Sequence, residues 1–258
     1  TPYDLTEPDS LIDVWPQLPD AVIHLAGQTF VPEAFRDPAR TLEINLLGTL
    51  NLLQALKARG FQGTFLYVSS GDVYGQVGEN DLPITEQQPP CPRNPYAVSK
   101  LSAEFLSLQW GLSEGWPVLV ARPFNHIGTG QKDSFVIASA ARQISRIKQG
   151  LQAPQLEVGD IDVTRDFLDV GDVVPAYFAP LEKGTPGHVY NICSGREQSI
   201  RSLIEQLGDL AEVEMQLVQD PARLRRADQR RVCGSHARLA KTTGWTPEIT
   251  TQQSLRAI

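Results

Sequence analysis

Short apolar runs alternate along this chain with longer stretches whose apolar positions fall three and four apart. That order predicts strands alternating with helices around a parallel sheet. Residues 21–27, Ala-Val-Ile-His-Leu-Ala-Gly, read as a buried strand ending in small residues. Over 38–57, Leu42, Asn45/Leu46, Thr49/Leu50, Leu53 and Leu56 recur at helical spacing, and Gly60 ends the helix. Residues 61–68 and 118–122 give two further strands, with a helix over 96–109 between them. A capped helix start is expected over 7–13. The segment 76–94, rich in Pro, Glu and Gln, reads as a loop over a ligand and not as a domain linker. Beyond Lys132 the pattern predicts a helix over 135–149, a strand at 156–158 and a strand and turn over 189–195. A helix over 197–210 follows, with a Leu203/Ile204/Leu207 face.

Composition narrows the class. A chain of 258 residues suffices for one large α/β domain, or for one domain and a smaller lobe. With 41% hydrophobic and 21% charged residues, disorder is not expected. A net charge of −7 disfavours nonspecific binding to nucleic acid or an anionic membrane. Cys91, Cys193 and Cys233 are far apart, and His24, His126, His188 and His236 lack metal-ligand spacing. Reduced thiols in a cytoplasmic protein without a metal are therefore expected. No apolar run approaches the ~20 residues of a membrane helix.

The carboxyl ends of strands in an open parallel sheet are where ligands bind. The strand over 61–68 delivers Ser70 and Asp72 there. Tyr96 and Lys100, four residues apart, share one helix face. An ammonium beside a phenol favours the phenolate, so Tyr96 is expected to exchange a proton near neutral pH. A serine hydroxyl at the strand mouth can hold the carbonyl or alcohol oxygen. Tyr-x-x-x-Lys by itself equally describes a solvated pair. Small residues at Ala26 and Gly27 permit close approach of a ligand, or tight strand–helix packing. Gly128-Thr129-Gly130 lacks the third glycine of a dinucleotide loop and sits after a strand's catalytic loop, which excludes it from that role. Arg223, Arg225, Arg226, Arg230 and Arg231 surround Asp228; guanidinium forks suit a pyrophosphate, and such a run also makes a solvated face.

Three motifs carry a resemblance: Leu66-Tyr67-Val68-Ser69-Ser70, then Gly71-Asp72-Val73-Tyr74-Gly75, then Asn94-Pro95-Tyr96-Ala97-Val98-Ser99-Lys100. Together they resemble the extended short-chain dehydrogenase/reductase family, in its branch acting on nucleotide-linked sugars. The resemblance implies a Rossmann-type doubly wound parallel sheet over 1–131. A smaller α/β substrate lobe is implied over 132–258, with 160–195 partly returning to the sheet. It implies NADPH or NADH as cofactor and Ser70, Tyr96, Lys100 and Asp72 as catalytic residues. Asp4 and Leu5 match a segment that meets the adenine. Leu25, Ala26, Gly27, Asn45, Val68 and Pro123, with Tyr96 and Lys100, match cofactor positions. Thr29, Ser70, Asp72, Asn125, Phe135, Arg165, Arg225 and Asp228 match substrate positions. His24 is expected to be a satisfied core histidine. Thr129 replaces the family's usual proline. The family's opening Gly-x-x-Gly-x-x-Gly does not occur, which implies that roughly 30–50 residues, one βαβ unit, precede Thr1; a true loss of that loop is the alternative. The C-terminus, soon after Thr243-Gly244-Trp245-Thr246-Pro247, likewise reads as trimmed.

Members of this branch begin by exchanging hydride at a sugar carbon. Those that also expel water resemble one another in a Glu where this chain has Asp72, a carboxylate one methylene shorter. Arg122-Pro123-Phe124-Asn125-His126-Ile127-Gly128 and Arg225-Arg226-Ala227-Asp228-Gln229-Arg230-Arg231 are similar to bacterial members that reduce a GDP-linked 4-keto-6-deoxy sugar, giving GDP-D-rhamnose. That reduction is the leading expectation. A GDP-mannose 4,6-dehydratase, a 4-epimerase of another nucleotide sugar and a non-catalytic nucleotide-binding protein are the alternatives. The family also implies a homodimer, built by the 38–57 and Tyr96 helices as a four-helix bundle.

Overall fold

The computed structural model describes residues 3–11, 17–223 and 229–258. The first half contains β1 (Ala21–His24), α1 (Val31–Arg36), α2 (Pro38–Leu42), α3 (Gly48–Ala58), β2 (Thr64–Val68), α4 (Pro95–Glu114) and β3 (Val118–Pro123). The next stretch contains β4 (Asn125–Ile127), α5 (Val136–Lys148), β5 (Gln155–Val158), β6 (Thr164–Asp169), α6 (Val170–Lys183) and β7 (Val189–Ile192). β8 (Glu197–Ser199), α7 (Ile200–Ala211), β9 (Gln216–Gln219), α8 (Ala237–Thr243) and α9 (Thr251–Ala257) follow.

β1, β2, β3 and β7 form one parallel sheet in that spatial order. Its apolar runs are buried on both faces, as parallel sheets require. One face packs Phe65, Tyr67 and Val118 against Leu52, Leu53 and Leu56 of α3 and Ala103 of α4. The other packs Leu66, Leu119 and Ile192 against Val173 and Ala176 of α6 and Leu239 of α8. β7, which follows β6 and α6 in the chain, is the edge strand beside β3. A second core under α5 and α7 holds Ile137, Ile144, Leu156, Leu203 and Leu207. Two small sheets accompany it, β4-β6-β8 and β5-β9. The α/β class and parallel sheet expected from the pattern are present.

Several boundaries differ for identifiable reasons. The helix expected over 38–57 is interrupted by a π-helical turn at Glu43–Leu47. That turn buries Asn45, whose amide then reaches across to the loop after β1. α4 runs past the expected 109 to Glu114, because the first left-handed backbone comes only at Gly115. The helix expected from 197 starts at Ile200: Glu197–Ser199 pairs antiparallel with β6, and Ser199 then caps α7. The strand expected from Phe61 begins at Thr64, and Phe61 instead meets Trp116 edge-on at 5.0 Å. Over 7–13 the described part is a 3-10 turn, Pro8–Leu11; Ile12 and Asp13 lie outside the described residues.

Candidate active site

Two local structures meet at the carboxyl end of β2. Ser70, two residues past the strand and extended in conformation, accepts from the Asp72 N–H through its Oγ at 3.1 Å, capping the short turn Gly71–Tyr74. Gly71 packs closely there: a Cβ would stand 3.0 Å from the Phe124 ring, which would have to yield by a few tenths of an ångström. α4 begins beside this turn. Asn94 caps it by accepting from the Ala97 N–H at 2.8 Å, and Pro95 occupies the first turn. The cap sets Tyr96 next to Ser70 and, one turn on, Lys100 beneath β2.

A cleft of about 630 Å³ opens at this junction. Of the residues expected from sequence, Ser70, Asp72 and Tyr96 line it together with Thr29, Pro123 and Asn125. Phe135 and Arg165 close its far side. Burial pushes the Tyr96 phenol up to about 12; a hydrogen bond with Ser70 opposes this, and the Asp72 carboxylate adds to it. The expected lowering by Lys100 is therefore corrected. Lys100 is itself buried and pushed down to about 8, with Glu104 pulling the other way, and its Nζ lies 4.8 Å from the Tyr67 ring centre. A phenol near 12 stays protonated at neutral pH, which suits an acid that gives a proton to an alkoxide.

The residues expected at the cofactor occupy the carboxyl edge of the main sheet or its supports. Leu25, Ala26 and Gly27 are exposed just past β1. Asn45 is fully engaged inside the protein: it accepts from the Gln28 N–H at 2.7 Å and donates to the Gln28 carbonyl at 2.9 Å and Ser99 Oγ at 2.8 Å. It braces the turn, and Gly27 leaves room for it, since a Cβ there would stand 2.9 Å from Asn45 Oδ1. Val68 is buried at the end of β2, and Leu5 lies against Gly48 of α3. Asp4 is exposed; hydrogen bonds from Thr6 hold its carboxyl below the ordinary range. His24 is a core histidine, bonded through Nε2 to Thr49 Oγ1 at 2.9 Å, and burial pushes it down to about 3. Ser69 Oγ, at the end of β2, is buried without a partner among the described residues. An open backbone edge, an orphaned hydroxyl and a buried ammonium together fit a nicotinamide dinucleotide.

Arg165 donates to the carbonyls of Thr164 at 2.7 Å and Gln229 at 2.8 Å. Its neighbour Asp166 is buried and accepts from Ser194 N (2.7 Å), Ser194 Oγ (2.6 Å), Gly195 N (3.0 Å) and Gly234 N (3.1 Å). Arg225 and Asp228 lie outside the described residues. Their neighbours behave as a solvated face: Arg223 pairs with Glu157, Arg230 with Asp160, and Arg231 with Glu197 and Glu79.

Sequence reasoning missed Asn94, Arg93, Phe30 and Glu104. Asn94 Nδ2 donates to Asp72 Oδ2 at 2.7 Å, and an Asn before Pro at a helix start signals only the cap. Arg93 lines the cleft and donates to Gln76. Phe30 meets Phe135 edge-on at 6.4 Å in the cleft wall. Glu104 receives Arg122 from β3 through two bonds, at 2.5 and 3.1 Å, with both side chains buried. Its spacing of four from Lys100 was the available signal.

Comparison with known proteins agrees with this geometry. The family model described as GDP-mannose 4,6 dehydratase matches residues 1–258. The chain is 77% identical to GDP-6-deoxy-D-mannose reductase of Pseudomonas aeruginosa over 99% of its own length and 84% of that protein's. It is 29% identical to a GDP-mannose 4,6-dehydratase of Vibrio cholerae, over 97% of this chain and 75% of the other. Among solved structures, RMD from Pseudomonas aeruginosa complexed with NADPH superposes with a TM-score of 0.96 at 75% identity. It covers all of this chain and 86% of its own.

Proposed function

The chain belongs to the GDP-mannose 4,6-dehydratase family, within the extended short-chain dehydrogenases/reductases, and on that premise we propose that it is an NADPH-dependent reductase of GDP-4-keto-6-deoxy-D-mannose, forming GDP-D-rhamnose. The observation that carries the reading is 77% identity to a GDP-6-deoxy-D-mannose reductase across nearly the whole chain. The site supports it chemically. Bound NADPH supplies a hydride for the C4 carbonyl carbon. Tyr96 gives its phenolic proton to the C4 oxygen, so the ketone becomes a secondary alcohol. Ser70 holds that oxygen. Lys100, Pro123 and the edge at Leu25 to Gly27 hold the cofactor; Asp4, Leu5, Asn45 and Val68 shape its seat. Thr29, Asp72 and Asn125 orient sugar hydroxyls, Phe135 closes the apolar side, and Arg165 with Arg225 and Asp228 holds the GDP moiety.

Asp72 favours reduction over loss of water. Its carboxylate is one methylene shorter than Glu and is already tied to Asn94. The test supplies GDP-4-keto-6-deoxymannose with NADPH to the intact protein and follows nicotinamide absorbance and the sugar product. Stoichiometric oxidation of NADPH with a GDP-6-deoxyhexose product is expected. GDP-mannose converted to the keto sugar without net NADPH consumption would reassign the chain as a dehydratase.

The assembly follows from an apolar stripe. Val98, Phe105 and Leu112 stand on α4 at seven-residue spacing and are 41%, 56% and 90% exposed, with Leu47 exposed just before α3. A strip of large apolar residues in water suits a second helix pair. A second copy of the chain packs here, α3 and α4 against their equivalents. Sedimentation should show a wild-type dimer and a Phe105→Glu monomer; a monomeric wild type overturns the reading. No helix among the described residues is long and apolar enough to cross a membrane. Three unpaired cysteines suit a cytoplasmic enzyme.

A further inference from the structure

One amide joins the two halves of the site. Asn94 Oδ1 accepts the Ala97 N–H at 2.8 Å, and Asn94 Nδ2 donates to Asp72 Oδ2 at 2.7 Å. The first contact fixes the start of the helix that carries Tyr96 and Lys100. The second holds the carboxylate of the turn that follows β2, 22 positions earlier in the chain. Asp72 has a further tether, its own N–H bonded to Ser70 Oγ. Ser70, Asp72, Asn94 and Tyr96 all line the same cleft. An Asn is needed for this geometry. Ser, Thr and Asp cap a helix about as well, but none combines an accepting oxygen with an amide donor 2 Å or so away on one rigid plane.

We propose that Asn94 is a positioning residue for reduction: it sets the carboxylate of Asp72 at a fixed place relative to the Tyr96 phenol, so that the sugar is held with its C4 oxygen at that phenol. The inference rests on the reductase reading and deepens it. With one oxygen occupied by Asn94, Asp72 presents its other oxygen to a sugar hydroxyl as a fixed acceptor. If Asn94 does not hold it, the carboxylate turns about its side-chain bonds, and misplacement by about 1 Å can cost about a hundredfold in rate.

Asn94→Asp isolates the role. The variant is isosteric and keeps the capping oxygen, yet replaces the donor with an oxygen that repels Asp72. The thermal midpoint and the Kd for NADPH should stay near wild type, because cap and Lys100 are retained. The kcat/KM for the keto sugar should fall about tenfold to a hundredfold. Asn94→Ser, which caps without reaching Asp72, should behave likewise. In an Asp72→Ala background, Asn94→Asp should cause no further loss. If Asn94→Asp leaves kcat/KM unchanged, or lowers it by the same factor with and without Asp72, the inference fails. So it does if NADPH affinity falls in parallel, which marks a structural role only. An inert wild type overturns the reductase reading instead, and the inference is then decided by NMR of the Asn94 side-chain amide. An amide resonance that does not shift in Asp72→Ala overturns it; a shift supports the contact.

Discussion

Replacing Tyr96 by Phe should lower the rate of keto-sugar reduction by about a thousandfold while leaving GDP binding intact. General acid catalysis by a positioned group contributes about 10²- to 10⁴-fold, and Tyr96 is the acid we propose at this junction. The substitution removes one hydroxyl and keeps the buried ring, so α4 and the cleft wall should hold their shape. The measurement is kcat from NADPH oxidation beside a GDP titration by calorimetry. Retained turnover would mean that another group delivers the proton. Ser70 alone is a poor substitute, because an aliphatic hydroxyl is a far weaker acid than a phenol.

Glu104→Ala should cost about 3–5 kcal/mol of stability, since it leaves Arg122 as an uncompensated buried charge. The pair is nearly dry, with side chains 5% and 1% exposed, and Arg122 also stacks 4.8 Å from the Tyr74 ring centre. Urea unfolding would read the loss. Replacing both partners with apolar residues of similar volume should recover much of it, because the desolvation of both charges disappears together. The same carboxylate supports the Lys100 ammonium, whose burial already pushes it down to about 8. Activity that depends on this ammonium is present below that value and fades as pH rises through it. Without Glu104 the ammonium is harder to keep, so the alkaline limb of the activity profile moves to lower pH. An unshifted limb would mean that Lys100 does not set it. Tyr96, at about 12, titrates too far up to be confused with it.

The legible features were those whose partners are close in sequence or stand in a spaced motif. Ser70 with Asp72 and Tyr96 with Lys100 are short-range pairs, and the strand and helix that carry them show clear periods. Ser70, Asp72 and Tyr96 line one cleft, while Lys100 is buried one turn further along the same helix. What was not legible depends on contacts between distant segments. Asn45 stands out only through the resemblance; its spacing alone makes it one more position on a helical face, and nothing in it foretells the π-helical turn that buries it against Gln28 and Ser99. Glu104 carries no motif of its own, and its burial follows from Arg122, inside an apolar strand, needing a partner. The raised Tyr96 follows from burial, which residue spacing does not report. The arginine run around 223–231 kept both of its meanings, since the described members are paired with surface carboxylates and Arg225 and Asp228 lie outside the described residues.

Asp166 gives the molecule a mechanical character. Its single carboxylate fastens the end of β7, the segment before α8 and β6 through four donors. Swinging the smaller sheet away from the larger would break all four at once and strand a buried charge. Arg165, its neighbour in the chain, therefore stands on a fixed jaw. Four bonds to one buried carboxylate resist a clamshell opening between these two sheets, so a motion confined to the rim of the cleft, which breaks none of them, is the less costly one.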